Sequence, residues 1–227
     1  MFPSAPPGVI PYIAGWSEER LIEAPLVVSR RHAGLGYADE TPYDRDSFGQ
    51  LWARPALRPR HRRGRPQPHT VHPYRQRRSM ADMLCQVCGR KPPSPDGPHL
   101  FLMRDRGGPV RDGELTASPP VCVPCAVISV QLCPEIRGVH VCAWVVQAPA
   151  WGVAGLVYDA GTLRPVSDKL VRAEYDGPLA PWTVAQRQVV QLFGVRPTEL
   201  ETEAAAFGLD RLEEEFKRVA AMVGAGR

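Results

Sequence analysis

Two C-x-x-C pairs constrain this chain more than any other feature. Cys85 and Cys88 lie in the string Leu84-Cys85-Gln86-Val87-Cys88-Gly89-Arg90, and Cys122 and Cys125 in Val121-Cys122-Val123-Pro124-Cys125, with thirty-three residues between the pairs. A C-x-x-C turn sets two thiolates on one side of a tight loop. Two such turns supply the four sulfur ligands of a tetrahedral Zn²⁺. Four thiolates close the coordination shell and leave no position at which water is activated, so the implied role of the zinc is structural.

The compartment bears on this reading, because paired cysteines form disulfides in oxidising surroundings. The first residues carry neither the basic start nor the apolar run of a secretory signal. No stretch approaches the roughly 20 apolar residues that span a bilayer. The expected location is a reducing cytoplasm, away from membranes, where paired C-x-x-C motifs are metal sites. Cys142 sits in an apolar strand pattern and reads as a small core hydrophobe. Cys133, before Pro134, reads as core, with a substitute ligand as the alternative.

Prolines number 25, about twice ordinary usage, and crowd the first hundred residues. Residues 1–53 read as an extended arm that packs on the rest, with a turn capped by Ser17 and an acidic patch at Asp39, Glu40, Asp44 and Asp46. The patch is either a solvated loop or folds back on the basic segment that follows. Residues 54–80 form a basic Arg/Pro-rich linker: nine arginines and no Asp or Glu lie within 54–78, and Pro55, Pro59, Pro66, Pro68 and Pro73 predict an extended, mobile course. Residues 81–137 form the zinc-knuckle module, with a strand at Leu100-Phe101-Leu102-Met103 and a helix or strand after Cys125. Residues 138–227 form an α+β part packed on the module. There the pattern predicts a hairpin over 139–158, a helix over 182–193 closed by Gly194, a short strand over 195–200, and a last helix over 209–223 with Leu209, Leu212, Phe216 and Val219 on one stripe.

The cysteine pairs and their flanks resemble the treble-clef zinc scaffold of HNH endonucleases, over about residues 84–132. The resemblance implies a treble-clef-like zinc-knuckle centre; with the patterns on either side of it, the expected fold is α+β, a small antiparallel sheet and C-terminal helices around that centre, preceded by the extended arm. His99, with Asp96 three residues before it, falls near the first His of that family. The Asn position is taken by Ala117-Ser118-Pro119-Pro120, the chain contains no Asn, and the terminal His is Ala126. The resemblance thus implies the scaffold without the nuclease site, and His99 reads as a packing or surface residue. Deaminase, Walker A, G-x-S-x-G and G-x-G-x-x-G signatures are absent, and no small-molecule substrate is indicated.

The remaining functional signal is arginine. Planar guanidinium forks match phosphate oxygens bidentately. Arg58, Arg60, Arg62, Arg63, Arg65, Arg75, Arg77 and Arg78 are the candidate contacts to DNA or RNA. The net charge of +4 is modest, and the near-absence of lysine suggests that arginine usage is partly genomic habit. The expected function is a non-enzymatic, zinc-stabilised nucleic-acid-binding protein. The alternatives are a protein-interaction adaptor or structural component, and a metal-dependent HNH-type nuclease.

Overall fold

The computed structural model describes residues 2–92 and 97–223; Asp96 lies outside them. The arm begins as a strap. Ala5 donates its amide to Gln131 Oε1 at 3.0 Å, and Gln131 Nε2 donates back to the Pro3 carbonyl at 3.0 Å. Strand β1 (Ala14–Trp16) follows, then the antiparallel pair β2 (Leu26–Ser29) and β3 (Gly34–Tyr37). Gly34 permits the pair to lie on residues 180–182: a Cβ there would stand 2.3 Å from the Pro181 carbonyl oxygen. Ser17 caps no helix; its Oγ accepts the Arg65 amide at 3.0 Å.

The basic segment is more ordered than its prolines predict. Strand β4 (Pro66–Val71) pairs antiparallel with β1, and helix α1 (Pro73–Ala81) follows at once. Pro66 and Pro68 are tolerated because β4 is the edge of a two-stranded sheet. Pro73 occupies the first helical position, where its missing N–H costs nothing. His72 is the N-cap, its Nδ1 accepting the Arg75 amide at 3.4 Å. The same proline that argues against a helix through the segment therefore starts one.

Among the described residues, the rest of the chain builds two antiparallel sheets and three helices. In order these are β5 (His99–Arg104), β6 (Leu115–Thr116), α2 (Val123–Leu132), β7 (His140–Gln147), β8 (Ala150–Val157), β9 (Val171–Glu174), β10 (Thr183–Gln191), β11 (Phe193–Thr198), α3 (Leu200–Phe207) and α4 (Leu209–Val223). One sheet has the order β6-β10-β8-β9 and the other β11-β7-β5. The predicted hairpin over 139–158 does not form. β7 and β8 belong to different sheets, joined through Ala148 and Pro149, and each pairs with one half of residues 183–198. Gln147 faces Phe193 and Ala150 faces Val190, so two long bent strands run side by side across both sheets and turn the corner together.

The helix predicted over 182–193 is strand β10. Register shifts at Ala185/Arg187 and Val189/Val190 break the alternation. Burial then falls in two runs, 183–185 and 189–190, whose spacing imitates a helix. The β-branched Thr183, Val184, Val189 and Val190 favour the strand. The last helix forms as the pattern requires, with Leu212, Phe216 and Val219 buried, although Leu209 stays exposed at its start.

Sheet β11-β7-β5 separates two cores. Leu100 and Leu102 of β5 face a cluster with α2, α3, α4 and the paired cysteines, while Phe101 and Met103 face Met80, Ala143, Val145 and Leu192. α2 is buried nearly all round, as its uniformly apolar sequence demands. Phe2, Ala5 and Val9 pack on the first cluster beside residues from the module and from the C-terminal helices.

Candidate metal centre

The four paired cysteines converge. Their sulfur atoms all lie within 4.8 Å of one another, a quartet that could hold a metal ion. Cys122 Sγ and Cys85 Sγ are 3.7 Å apart. Disulfide sulfurs would be about 2.0 Å apart, and the cysteines are free thiols. Tetrahedral sulfurs around a metal at about 2.3 Å would be separated by about 3.8 Å.

Local backbone explains the convergence. After Cys88 the chain reverses at Gly89, whose φ of +69° suits glycine. The Gly89 amide donates to the Cys85 carbonyl at 2.8 Å, and the Cys85 amide to the Arg90 carbonyl at 2.9 Å. A Cβ on Gly89 would lie 2.9 Å from Cγ of Tyr12, whose ring covers the turn. The second pair opens α2: Cys122 is its N-cap, Pro124 lies in its first turn, and Cys125 follows. The unpaired amides and dipole of a helix start favour thiolates there. Gln86 joins the two turns, its amide donating to the Pro120 carbonyl at 2.9 Å and its Nε2 to the Pro119 carbonyl at 3.0 Å.

Cys85, Cys88 and Cys125 are buried and Cys122 is half-buried. Such crowding polarises the quartet. Hydrogen bonds from Cys122 and the other thiols hold Cys88 far below the ordinary thiol range. Its bond with Cys122, and then those with Cys85 and Cys88, push Cys125 far above it. A dication among four sulfurs would let all four ionise.

The other cysteines stand apart. Cys142 is buried, donates to the Thr198 carbonyl at 3.1 Å, and is pushed up to about 12 by burial. Cys133 is the half-buried C-cap of α2. His99 heads β5 on the face of Phe101, which strand alternation sets opposite to the cysteines; burial lowers its pKa and leaves its Nδ1 without a partner. Ala126 is fully buried, and the Pro119-Pro120 turn is committed to Gln86.

The eight candidate arginines separate. Arg75 is 3% exposed, donating to Glu19 Oε2 at 2.6 Å and to the Ala14 carbonyl at 2.8 Å, so it is not available to a phosphate and leaves the candidate set. Arg63 pairs with Glu19 at 3.1 Å, and Arg77 lies over the Trp52 ring at 4.6 Å. Arg60 donates to the Met222 carbonyl at 2.5 Å, at the surface. Arg78 is exposed beside Asp82, 3.6 Å away. Arg58, Arg62 and Arg65 are exposed and form no ion pair among the described residues. The acidic patch does fold back, but only onto the start of the segment: Arg54 pairs with Asp44 at 2.6 Å and Asp39 at 2.9 Å.

Sequence reading missed the cluster around Glu19. Its side chain is fully buried against Arg75, Arg63 and His72. Burial opposes ionisation of Glu19, but the hydrogen bond and charge of Arg75 outweigh it and hold the carboxyl below its ordinary value. No short-range signal marks Glu19, because its partner is 56 residues away. Gly89 was detectable: a glycine directly after the second cysteine is the residue the reversal requires.

No protein family, curated protein or solved structure matches the chain. No helix among the described residues is long and apolar enough to cross a membrane.

Proposed function

We propose that this chain is a non-enzymatic nucleic-acid-binding protein whose fold is fastened by a structural Zn²⁺ on Cys85, Cys88, Cys122 and Cys125. The observation that carries the reading is the exposure of Arg58, Arg60, Arg62 and Arg65, which form no ion pair among the described residues, on a segment that β4 and α1 hold against the protein. Guanidiniums free of carboxylates are suited to phosphate oxygens, and such contacts position a backbone without reading its sequence. The zinc reading rests on four convergent sulfurs, the ligand set typical of closed structural sites. A reducing compartment would keep those thiols free. The HNH-like resemblance enters as scaffold only, since His99 heads the sheet face opposite to the quartet.

Fluorescence anisotropy with single- and double-stranded DNA and RNA, at about 50 and 200 mM salt, tests the reading. Binding should weaken steeply with salt. Replacing Arg58, Arg60, Arg62 and Arg65 by Ala should flatten the salt slope by about one for each phosphate that is no longer neutralised, with metal content unchanged. No retained nucleic acid at either salt concentration sinks the proposal. Co-purification of one specific protein without nucleic acid would favour the adaptor in its place. Cleavage of plasmid with Mg²⁺ that His99→Ala abolishes would favour the nuclease.

A further inference from the structure

A second site, which shares no residue with the cysteine quartet, lies where the sheet β6-β10-β8-β9 meets the loop after residue 45. A cavity of about 220 Å³ opens there, and its lining includes Phe48, Trp151, Glu174, Tyr175, Asp176 and Gln191. Three of these six are aromatic and two are carboxylates. None of the residues that line the cavity is basic, although the chain carries net positive charge.

The aromatic wall is fixed in advance. Phe48 and Tyr175 stack with ring centroids 4.1 Å apart and planes 14° from parallel. Asp46 holds both residues: its Oδ1 accepts the Phe48 amide at 3.0 Å, and its Oδ2 accepts the Tyr175 hydroxyl at 3.2 Å and the Trp52 indole N–H at 2.8 Å. Burial and the Asp46 charge push the Tyr175 phenol up, so it keeps the proton it donates. Trp151 is tied to the same wall, since its carbonyl accepts the Tyr175 amide at 3.3 Å. Phe48 nevertheless remains 57% exposed, an unusual cost for a ring held so firmly.

The polar groups are one-sided. Glu174 and Asp176 are exposed and form no ion pair among the described residues. Gln191 uses its Nε2 on the Gly113 carbonyl at 3.2 Å, which leaves its side-chain oxygen as an acceptor. Arg77 is held over Trp52 and does not line the cavity. Carboxylates repel anions, and the faces of aromatic rings carry negative potential that attracts cations. The volume falls below the roughly 300–1,000 Å³ of sites that enclose a whole drug-sized ligand, so one headgroup fits.

We propose that this cavity binds an organic cation, an alkylated ammonium or guanidinium group, between the Phe48–Tyr175–Trp151 wall and the Glu174 and Asp176 carboxylates. Free quaternary ammonium compounds and methylated lysine side chains of another protein share this chemistry. The site is independent of nucleic-acid binding.

The test is an NMR titration of the full-length protein that follows the Trp151 indole signal, assigned with Trp151→Phe. Tetramethylammonium chloride is the first probe and a trimethyllysine dipeptide the second, with sodium chloride at matched concentration as control. Saturable shifts in the millimolar range are expected. Affinity should fall roughly tenfold in Phe48→Ala and in Glu174→Gln/Asp176→Asn, in line with the size of cation–π and close charge interactions. These side chains are exposed, and unchanged melting of the variants would show that the fold is intact. Tighter binding of the dipeptide assigns the site to a protein side chain; equal binding assigns it to a free cation. Absence of a saturable shift, the same shift with sodium chloride, or unchanged affinity in both variants would overturn the proposal.

Discussion

The cysteine quartet and the Glu19 cluster both take polar groups out of water, and they fasten different parts of the chain. The quartet joins the turn after α1 to the start of α2, inside the cluster that α3 and α4 cover. The Glu19 carboxylate joins the β1 turn to α1 and to the basic segment through Arg75, Arg63 and the Arg58 amide. The first arrangement gathers four groups of like chemistry that could hold a soft cation. The second gathers opposite charges but leaves Arg75 Nε and Nη1 and His72 Nε2 buried without hydrogen-bond partners among the described residues. On the proposed reading the first answers to metal and the second to protons, and variants at each test whether one can be undone without touching the other.

The largest effect should come from the quartet. Cys88→Ser or Cys125→Ser, or chelation of the wild type, should abolish metal binding and the cooperative melt together. Apparent binding energies of structural zinc, about 10–16 kcal/mol, match or exceed the whole stability of a typical domain. Metal analysis with circular dichroism checks this, and a wild-type melt after metal loss would remove the quartet from its role. Next comes Glu19→Ala, which strands the buried Arg75 charge and should cost about 3–5 kcal/mol in denaturant unfolding. Metal content should stay unchanged, and that separates the two fasteners.

The smallest effect depends on pH. Burial, aided by the Arg75 charge, pushes His72 down from 6.5 to about 4. Between those values the unfolded chain takes up a proton that the folded one refuses, so stability falls as pH drops through that window, by roughly 3 kcal/mol in all. Below about 4.5 Glu19 adds its own loss as pH falls toward its lowered folded value. His72→Asn keeps an N-cap and should flatten the upper window while leaving the lower one. Stability measured against pH for both proteins decides it; an unchanged upper slope would show that His72 does not control it.

The two fasteners also mark what the sequence could show. The quartet was legible because ligand spacing is local: two residues between cysteines suffice to place a pair on one turn. The last helix was legible because Leu212, Phe216 and Val219 repeat at its own period. Glu19 and Arg75 carry no such period, and only the pairing of β1 with β4 brings them together. β10 was misread because its irregular register moved the buried residues out of alternation. α1 was hidden by counting prolines without asking which position each would occupy. Among the arginines the sequence could count charges but could not tell that Arg75 lies inside.

The strap of residues 2–9 has a consequence for how the protein is made. Phe2, Ala5 and Val9 are synthesised long before Leu212, Phe216 and Val219, yet they rest on a core that includes them. All four thiols of the quartet have been synthesised once Cys125 is added. At about 5–20 residues per second, the helix that closes the core follows roughly 5–20 seconds later. During that interval the four sulfurs can meet while the apolar faces around them wait uncovered, and residues 2–9 find their place only after a helix made some two hundred residues later.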